Sequence, residues 1–322
     1  MNKKNIILHV GAHKTGTTFL QKQVFPFLKN VYYTGLYSKN FDKDEFHEFV
    51  CFRDAYNTYK LFNPKFSNKK ESSEFKKYVS SFTSNIKEDN FLFSREALFG
   101  SSWRGYYNHF ENTCLLKEFF PEAKIFLVFR RQDTWIESLY TQYFHIVNSP
   151  VKLNYFIGYK NGEFNDKSNY LYMEDMKWLK YVKNYIDTFG HENVLALPHE
   201  MLKNEPEKFL SNFYEFSGLE TYYPEIYKYE NKRPRVSIKD YEPLGVLYKT
   251  LTDKIPSRKS RYNIDQKDGF FRKKLSLYKT TIDYEQNKLD EKQRQKIKSL
   301  FIENNTKLAK LINLDLAEYG YY

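Results

Sequence analysis

Ile6-Ile7-Leu8-His9-Val10-Gly11-Ala12-His13-Lys14-Thr15-Gly16-Thr17-Thr18-Phe19-Leu20 reads as three pieces in succession. The apolar, β-favouring run Ile6–Val10 is a strand. It breaks into a loop carrying two glycines, a lysine and three threonines. Phe19, Leu20, Gln21 and Val24 then read as the start of a helix, expected over about Thr17 to Lys29. A strand, a phosphate-sized loop and a helix N-terminus make an anion trap. Gly11 and Gly16 permit the tight turn that aims successive N–H groups inward, and Thr17 and Thr18 add hydroxyl donors at the positive end of the helix dipole.

The glycines are spaced as in a Walker A loop, but that motif ends in Gly-Lys-[Ser/Thr], and here Gly16 is followed by Thr17. The lysine stands two residues before the second glycine instead. Lys14-Thr15-Gly16-Thr17-Thr18 resembles the 5'-phosphosulfate-binding loop of sulfotransferases that use 3'-phosphoadenosine 5'-phosphosulfate (PAPS), and His13, where animal cytosolic members usually carry proline, resembles the bacterial branch. The resemblance implies donor-binding roles for His13, Lys14, Thr15, Gly16, Thr17 and Thr18.

A second motif follows at the required place. Lys124–Phe129 is the clearest buried strand in the chain, and it runs into Arg130-Arg131-Gln132-Asp133-Thr134-Trp135-Ile136-Glu137-Ser138. Thr134 and Glu137 form a capping-box pair, so a helix is expected to start there with Ser138 in its opening turns. Arg130 leaves the strand as a bidentate fork for phosphate, and Ser138 offers a hydroxyl from the helix start. An arginine at a strand end with a serine eight positions on resembles the 3'-phosphate-binding element of the same family.

Between the two lies Asn90–Ser94, another strand, followed at once by Arg95-Glu96-Ala97-Leu98. Ligands of open α/β sheets bind outside the carboxyl ends of the strands, which puts Glu96 where catalytic groups sit. The Ser-x-Glu-x-Leu step also resembles bacterial and carbohydrate sulfotransferases, in which a glutamate of this region serves as general base. A cap or salt-bridge carboxylate is the other reading of Glu96, and the two stay open side by side. His109, one loop further on, is the alternative base. His9 reads as a satisfied core residue, Glu200 as a capping carboxylate, and Trp103 and Trp135 as candidates to stack on adenine. The family closes its nucleotide site with a late basic segment, for which Asn231-Lys232-Arg233-Pro234-Arg235 is the candidate, Arg233 at its centre, although the Arg-Lys-Gly motif of the cytosolic branch is absent.

The rest of the chain is read more coarsely. A second strand is expected at Val31–Thr34 and weak helix over 41–60. Polar loop is expected over 63–73 and an amphipathic helix through Phe75, Tyr78, Val79, Phe82 and Ile86. A helix is expected over 109–120, loop or lid over 148–170, helix over 171–189, a strand at Val194–Leu197 and helix over 205–217. A flexible basic stretch, 254–274, precedes a terminal helix with Ile297, Leu300, Phe301, Leu308 and Leu311 on one face.

Across 322 residues, 51 Lys and Arg against 40 Asp and Glu leave a net charge of +11, a field that draws anions such as nucleic acid, an acidic glycan or a polyanionic nucleotide. No nucleic-acid module accompanies it, so no nucleic-acid partner is expected. Two cysteines, Cys51 and Cys114, lie in no CxxC pair and read as free thiols in a reducing compartment. No apolar run is long enough for a signal peptide or a membrane span, which gives a cytoplasmic protein, free or peripheral to the membrane.

The expected fold is therefore α/β: one domain over 1–322 with a mainly parallel sheet flanked by helices in a P-loop, sulfotransferase-like architecture. Its donor-binding core spans about 5–145, and an acceptor, lid and helical part spans about 146–322. The resemblance implies PAPS as donor, 3'-phosphoadenosine 5'-phosphate (PAP) as product, no metal, and a hydroxyl of a glycan or glycolipid, acidic or neutral, as acceptor. Lys14, Glu96 and His109 are the catalytic candidates. Two other classes stay open: a P-loop kinase, which should carry its lysine after the second glycine and a magnesium-binding acid, and a basic nucleic-acid binder.

Overall fold

The computed structural model describes residues 4–35, 37–38, 69–102, 105–147, 152–164, 171–227, 237–240, 280–283 and 288–322. Arg233, Trp103, Cys51 and the stretches 41–60 and 254–274 lie outside them. Strand β1 (Asn5–His9) is followed by helix α1 (Thr17–Phe19), which widens into a π-turn at Leu20–Val24 and tightens into a 3-10 turn at Phe25–Phe27. Pro26 forbids a longer regular helix, so the winding stops short of Lys29. Strand β2 (Val31–Gly35), helix α2 (Lys69–Asn85), strand β3 (Asn90–Ser94), helix α3 (His109–Phe119) and strand β4 (Lys124–Phe129) follow. Helix α4 (Gln132–Val147) leads to a one-turn helix α5 (Leu153–Phe156) and the hairpin β5 (Tyr159–Lys160) and β6 (Glu163–Phe164). Next come helix α6 (Trp178–Phe189), strand β7 (Val194–Pro198), and helices α7 (His199–Asn204) and α8 (Pro206–Ser217). A two-stranded pair, β8 (Ser237–Asp240) with β9 (Thr280–Asp283), and helix α9 (Glu291–Ile312) complete the described elements.

Five strands form one sheet in the order β2-β3-β1-β4-β7, every neighbour parallel. Parallel strands covered on both faces should be apolar throughout, and they are: Ile7, Leu8, Phe91, Leu92 and Ile125–Phe129 are essentially inaccessible. The chain leaves β1 toward β2 on one side and leaves β4 toward β7 on the other. The crevice between the carboxyl ends of β1 and β4 is thus a topological switch point, and both anion motifs open onto it.

Several local expectations change. Helix α4 begins at Gln132, with Trp135 N–H donating to the Arg131 carbonyl, two residues before the supposed capping box. Thr134 and Glu137 are engaged elsewhere, Glu137 accepting from the Leu289 N–H and from Arg294. The expected loop over 148–170 contains α5 and the β5–β6 hairpin, and α2 already starts inside the expected polar loop. On α9 the buried stripe is Gln293, Ile297, Phe301, Asn305 and Leu308, whereas Leu300 points outward at 47% exposure. The two amides in that stripe are paired: Gln132 and Asn305 exchange side-chain hydrogen bonds at 2.9 and 3.2 Å.

Candidate active site at the switch point

The loop after β1 is stitched to β4 by Val10 N–H donating to Phe126 O and Ala12 N–H to Val128 O, after which it leaves the sheet. Lys14 sits at φ 66° and Gly16 at φ 89°, both in the left-handed region. That geometry turns the peptide units so that the N–H groups of residues 14–18 donate to no described residue, while the His13 N–H is turned to the Tyr106 hydroxyl. Five backbone donors left without partners at a helix start, beside a lysine, form a cation-like cradle. Glycine at 16 is obligatory twice over. The conformation disfavours a side chain, and a Cβ there would stand 2.9 Å from His199 Cδ2 and 3.0 Å from Leu202 Cδ2.

The three threonines divide their work. Thr15 is buried and its hydroxyl donates to the Ala12 carbonyl at 2.6 Å, closing the loop on itself. Thr17 donates its hydroxyl to Glu96 Oε1. A hydroxyl has one proton, so neither side chain can also donate to an anion, and each offers the cradle its backbone N–H alone. Thr18, partly exposed, makes no side-chain hydrogen bond with a described residue. The expected hydroxyl donors thus reduce from two to one.

Glu96 opens a 3-10 turn, Glu96–Leu98, at the end of β3, and Arg95 N–H donates to the His9 carbonyl, so the carboxylate comes up beside the loop. The charges of Glu96 and Arg130 are both felt at Lys14: burial lowers the ammonium pKa, Glu96 opposes that shift and Arg130 adds to it. His13 is likewise held below its ordinary value, first by burial, and its Nδ1 is buried without a partner among the described residues. His109 is not brought to this group. Its ring is inaccessible, its Nδ1 lies 2.9 Å from the Phe99 carbonyl, and Phe99, Phe110, Tyr181 and Tyr185 enclose it, with burial holding its pKa at about 4.

Arg130 crosses from β4 to the loop: Nη1 donates to the Lys14 carbonyl at 3.0 Å and Nε to Thr134 Oγ1 at 3.0 Å. The first bond steadies the left-handed peptide at Lys14. Two buried tryptophans, edge to face at 5.5 Å, pin the two motifs from below. Trp135 Nε1 donates to the His13 carbonyl at 2.7 Å and Trp178 Nε1 to the Arg130 carbonyl at 2.8 Å. Trp135 is therefore a support for the loop, only 1% exposed, and not a face on which a base could stack. Ser138, partly exposed in the second turn of α4, has a hydroxyl that bonds to no described residue.

Two further contributors come from the start of α7, of which His199 was missed in the sequence and Glu200 was read as a cap without its partners. His199, at the start of α7, packs under Gly16; burial, Arg130 and Lys203 hold its pKa at about 3, so it stays neutral beside the cations. Glu200 is buried and caps α4 as well as its own helix: it accepts from its own backbone N–H, from the Arg131 N–H at 3.2 Å and from the Tyr321 hydroxyl at 2.9 Å, and the single Thr134 hydroxyl proton lies between Glu200 Oε1 at 3.3 Å and the Arg131 carbonyl at 3.0 Å. No spacing rule connects residue 200 with 131 or 321.

The profile of the sulfotransferase family matches residues 39–224, more than half of the chain. The chain belongs to the sulfotransferase family. The matched segment begins beyond the loop and takes in Glu96, Arg130 and Ser138, so this membership is independent of the Lys14–Thr18 motif. The crystal structure of a sulfotransferase from Alicyclobacillus acidocaldarius superposes with a TM-score of 0.54 at 14% identity over 99% of each chain, a likeness of fold. Mouse sulfotransferase SULT7A1 complexed with PAP gives a TM-score of 0.41 at 13% identity over 97% of this chain and 89% of that one, too loose to carry an argument. No curated protein sequence matches the chain. The reaction class of this sulfotransferase is sulfuryl transfer. Among the described residues no helix is long and apolar enough to cross a membrane, and no group of three or more His, Cys, Asp or Glu side chains could hold a metal ion.

Proposed function

We propose that this sulfotransferase takes its sulfuryl group from PAPS and delivers it to a hydroxyl of a glycan or glycolipid. The observation that carries the donor assignment is the cradle itself: five unpartnered N–H groups and Lys14 after β1, with Arg130 bonded to the loop from the end of β4 and Ser138 in the second turn of α4. Every ligand-facing group in that set donates or is cationic, apart from Glu96. This donor set fits a nucleotide with anionic groups at both ends.

When bound, PAPS supplies a sulfuryl group attached through an oxygen bridge to a phosphate that leaves readily. The chain's own groups then have distinct tasks. The loop N–H groups and the Thr18 hydroxyl hold the 5' anionic end, and Lys14 neutralises charge at the bridging oxygen. Arg130 and Ser138 hold the 3'-phosphate. Glu96, kept in place by the Thr17 hydroxyl, takes the proton of the acceptor hydroxyl as the acceptor oxygen bonds to sulfur and the bond from sulfur to the bridging oxygen breaks. Positioning and fixed charge carry most of the acceleration, as in phosphoryl transfer. The glycan acceptor rests on the Ser-x-Glu-x-Leu step at Ser94–Leu98 and on the net positive charge.

Calorimetry of PAP in the absence of magnesium, beside 5'-AMP and ATP, tests the reading. Tight binding that requires the 3'-phosphate is expected. Preference for ATP with magnesium would overturn the donor assignment.

A further inference from the structure

The last stretch of the chain is folded back against the root of Arg130. After α9 ends at Asn313 in the left-handed conformation, Leu316, Tyr319 and Tyr321 are buried and Tyr321 is wholly inaccessible, its ring edge-on to Phe129 at 5.7 Å. Gly320, at φ 72°, lies so near Arg131 that a Cβ there would be 2.9 Å from its Nη1. The Tyr321 carbonyl accepts from Asn305 Nδ2 at 3.2 Å, and Asn305 is held by Gln132. The tail is thus fixed from both sides and delivers one hydroxyl to one place, Glu200 Oε2.

From that carboxylate two short paths reach Arg130. Glu200 accepts the Arg131 N–H, which sets the peptide joining Arg130 to Arg131, and it lies 3.3 Å from Thr134 Oγ1, the acceptor of Arg130 Nε. We infer that Tyr321 is a positioning residue for Arg130, acting through Glu200 and Thr134 to hold the guanidinium at the switch point. The inference rests on the proposed role of Arg130 as holder of the donor's 3'-phosphate. The tail carries a built-in comparison, because Tyr319 donates its hydroxyl to Glu205 Oε2 at 2.7 Å, anchoring the same segment without touching the path to Arg130.

The test uses the full chain and the variants Tyr321→Phe and Tyr319→Phe, with two readouts. One is the affinity for PAP and for 5'-AMP. The other is the Arg130 Nε–H resonance in nitrogen-15 spectra, assigned by its loss in Arg130→Lys. Tyr321→Phe should weaken PAP roughly fivefold, the size of one lost hydrogen bond, leave 5'-AMP unchanged, and shift or broaden the Nε–H signal. Tyr319→Phe should alter neither readout. An unaltered Nε–H signal in Tyr321→Phe, or an equal loss of PAP affinity in both variants, would overturn the inference. Should the unmodified protein ignore the 3'-phosphate altogether, the ligand assigned to Arg130 is wrong, and the Nε–H signal alone then decides whether Tyr321 holds Arg130. If Tyr321→Phe does not fold, Glu200→Gln must reproduce its pattern.

Discussion

At the scale of single residues, the chemistry turns on which proton is already committed. Thr17 gives its hydroxyl proton to Glu96, so the pair acts as one unit in which the threonine aims the base. Glu96→Gln keeps an acceptor for Thr17 and should therefore fold and bind donor normally while kcat falls about 100-fold or more, read by steady-state kinetics beside PAP calorimetry. His109→Ala should do the reverse. Removing a ring packed among Phe99, Tyr181 and Tyr185 should cost about 2 kcal/mol or more of stability in chemical denaturation and leave kcat of the folded enzyme unchanged. Lys14→Ala should abolish transfer without lowering the melting temperature, since the lysine side chain is only partly buried and its left-handed backbone is held by Arg130. Gly16→Ala should lose both stability and donor binding, because the added methyl meets His199 and Leu202 in a conformation that alanine disfavours.

At the scale of elements, α9 is fastened to α4 by charge as well as by its apolar stripe. Asp133, with no exposed side-chain surface, accepts from Arg131 at 2.7 Å and from Arg294 at 3.0 Å, and Arg294 also reaches Glu137 at 2.5 Å. Burial would push the Asp133 carboxyl up, but the hydrogen bond and charge of Arg131, aided by Arg294, hold it below the usual carboxylate range. Arg294→Leu takes from Asp133 one of its two guanidinium partners and from Glu137 the guanidinium at 2.5 Å. Breaking buried pairs in this way costs about 3 kcal/mol, measurable by urea unfolding. The same α4 start carries Arg131, Thr134 and the Glu200 cap, so loosening α9 should also weaken PAP binding.

At the scale of the whole molecule, two histidines are sealed in the core as neutral rings. His9 is 1% exposed and held at about 3, and His109 is inaccessible and held at about 4, in both cases chiefly by burial. The unfolded chain takes up a proton at each near pH 6.5, so between that value and the folded pKa the unfolded state binds more protons. Stability is therefore fully present above about pH 6.5 and is lost as pH falls toward 4, by up to about 1.4 kcal/mol per pH unit for each ring. Urea midpoints recorded from pH 7 to pH 5 should fall steeply, and His9→Gln should flatten the slope if it folds.

The strand-loop-helix opening, the apolar strands, Arg130 at a strand end and Glu96 after β3 were legible from residue order, because backbone turns and strand burial depend on neighbours in the chain. The order β2-β3-β1-β4-β7 joins these local signals at one crevice, and it rests on pairings as distant in sequence as Ile7 with Lys124. The polar side chains that sequence reading misplaced at the site are engaged by hydrogen bonds formed across the fold. Thr134 and Glu137 looked like a capping box, but the cap comes from Glu200 and the glutamate is taken by Arg294. Thr17 looked like a donor to the anion, but its proton goes to Glu96. The sequence by itself determined which elements form and where an anion could be held. Only the tertiary structure decided which donors remain available to it, because a hydroxyl or carboxylate is committed by whatever distant partner packing brings within 3 Å, and period and spacing carry no record of that partner.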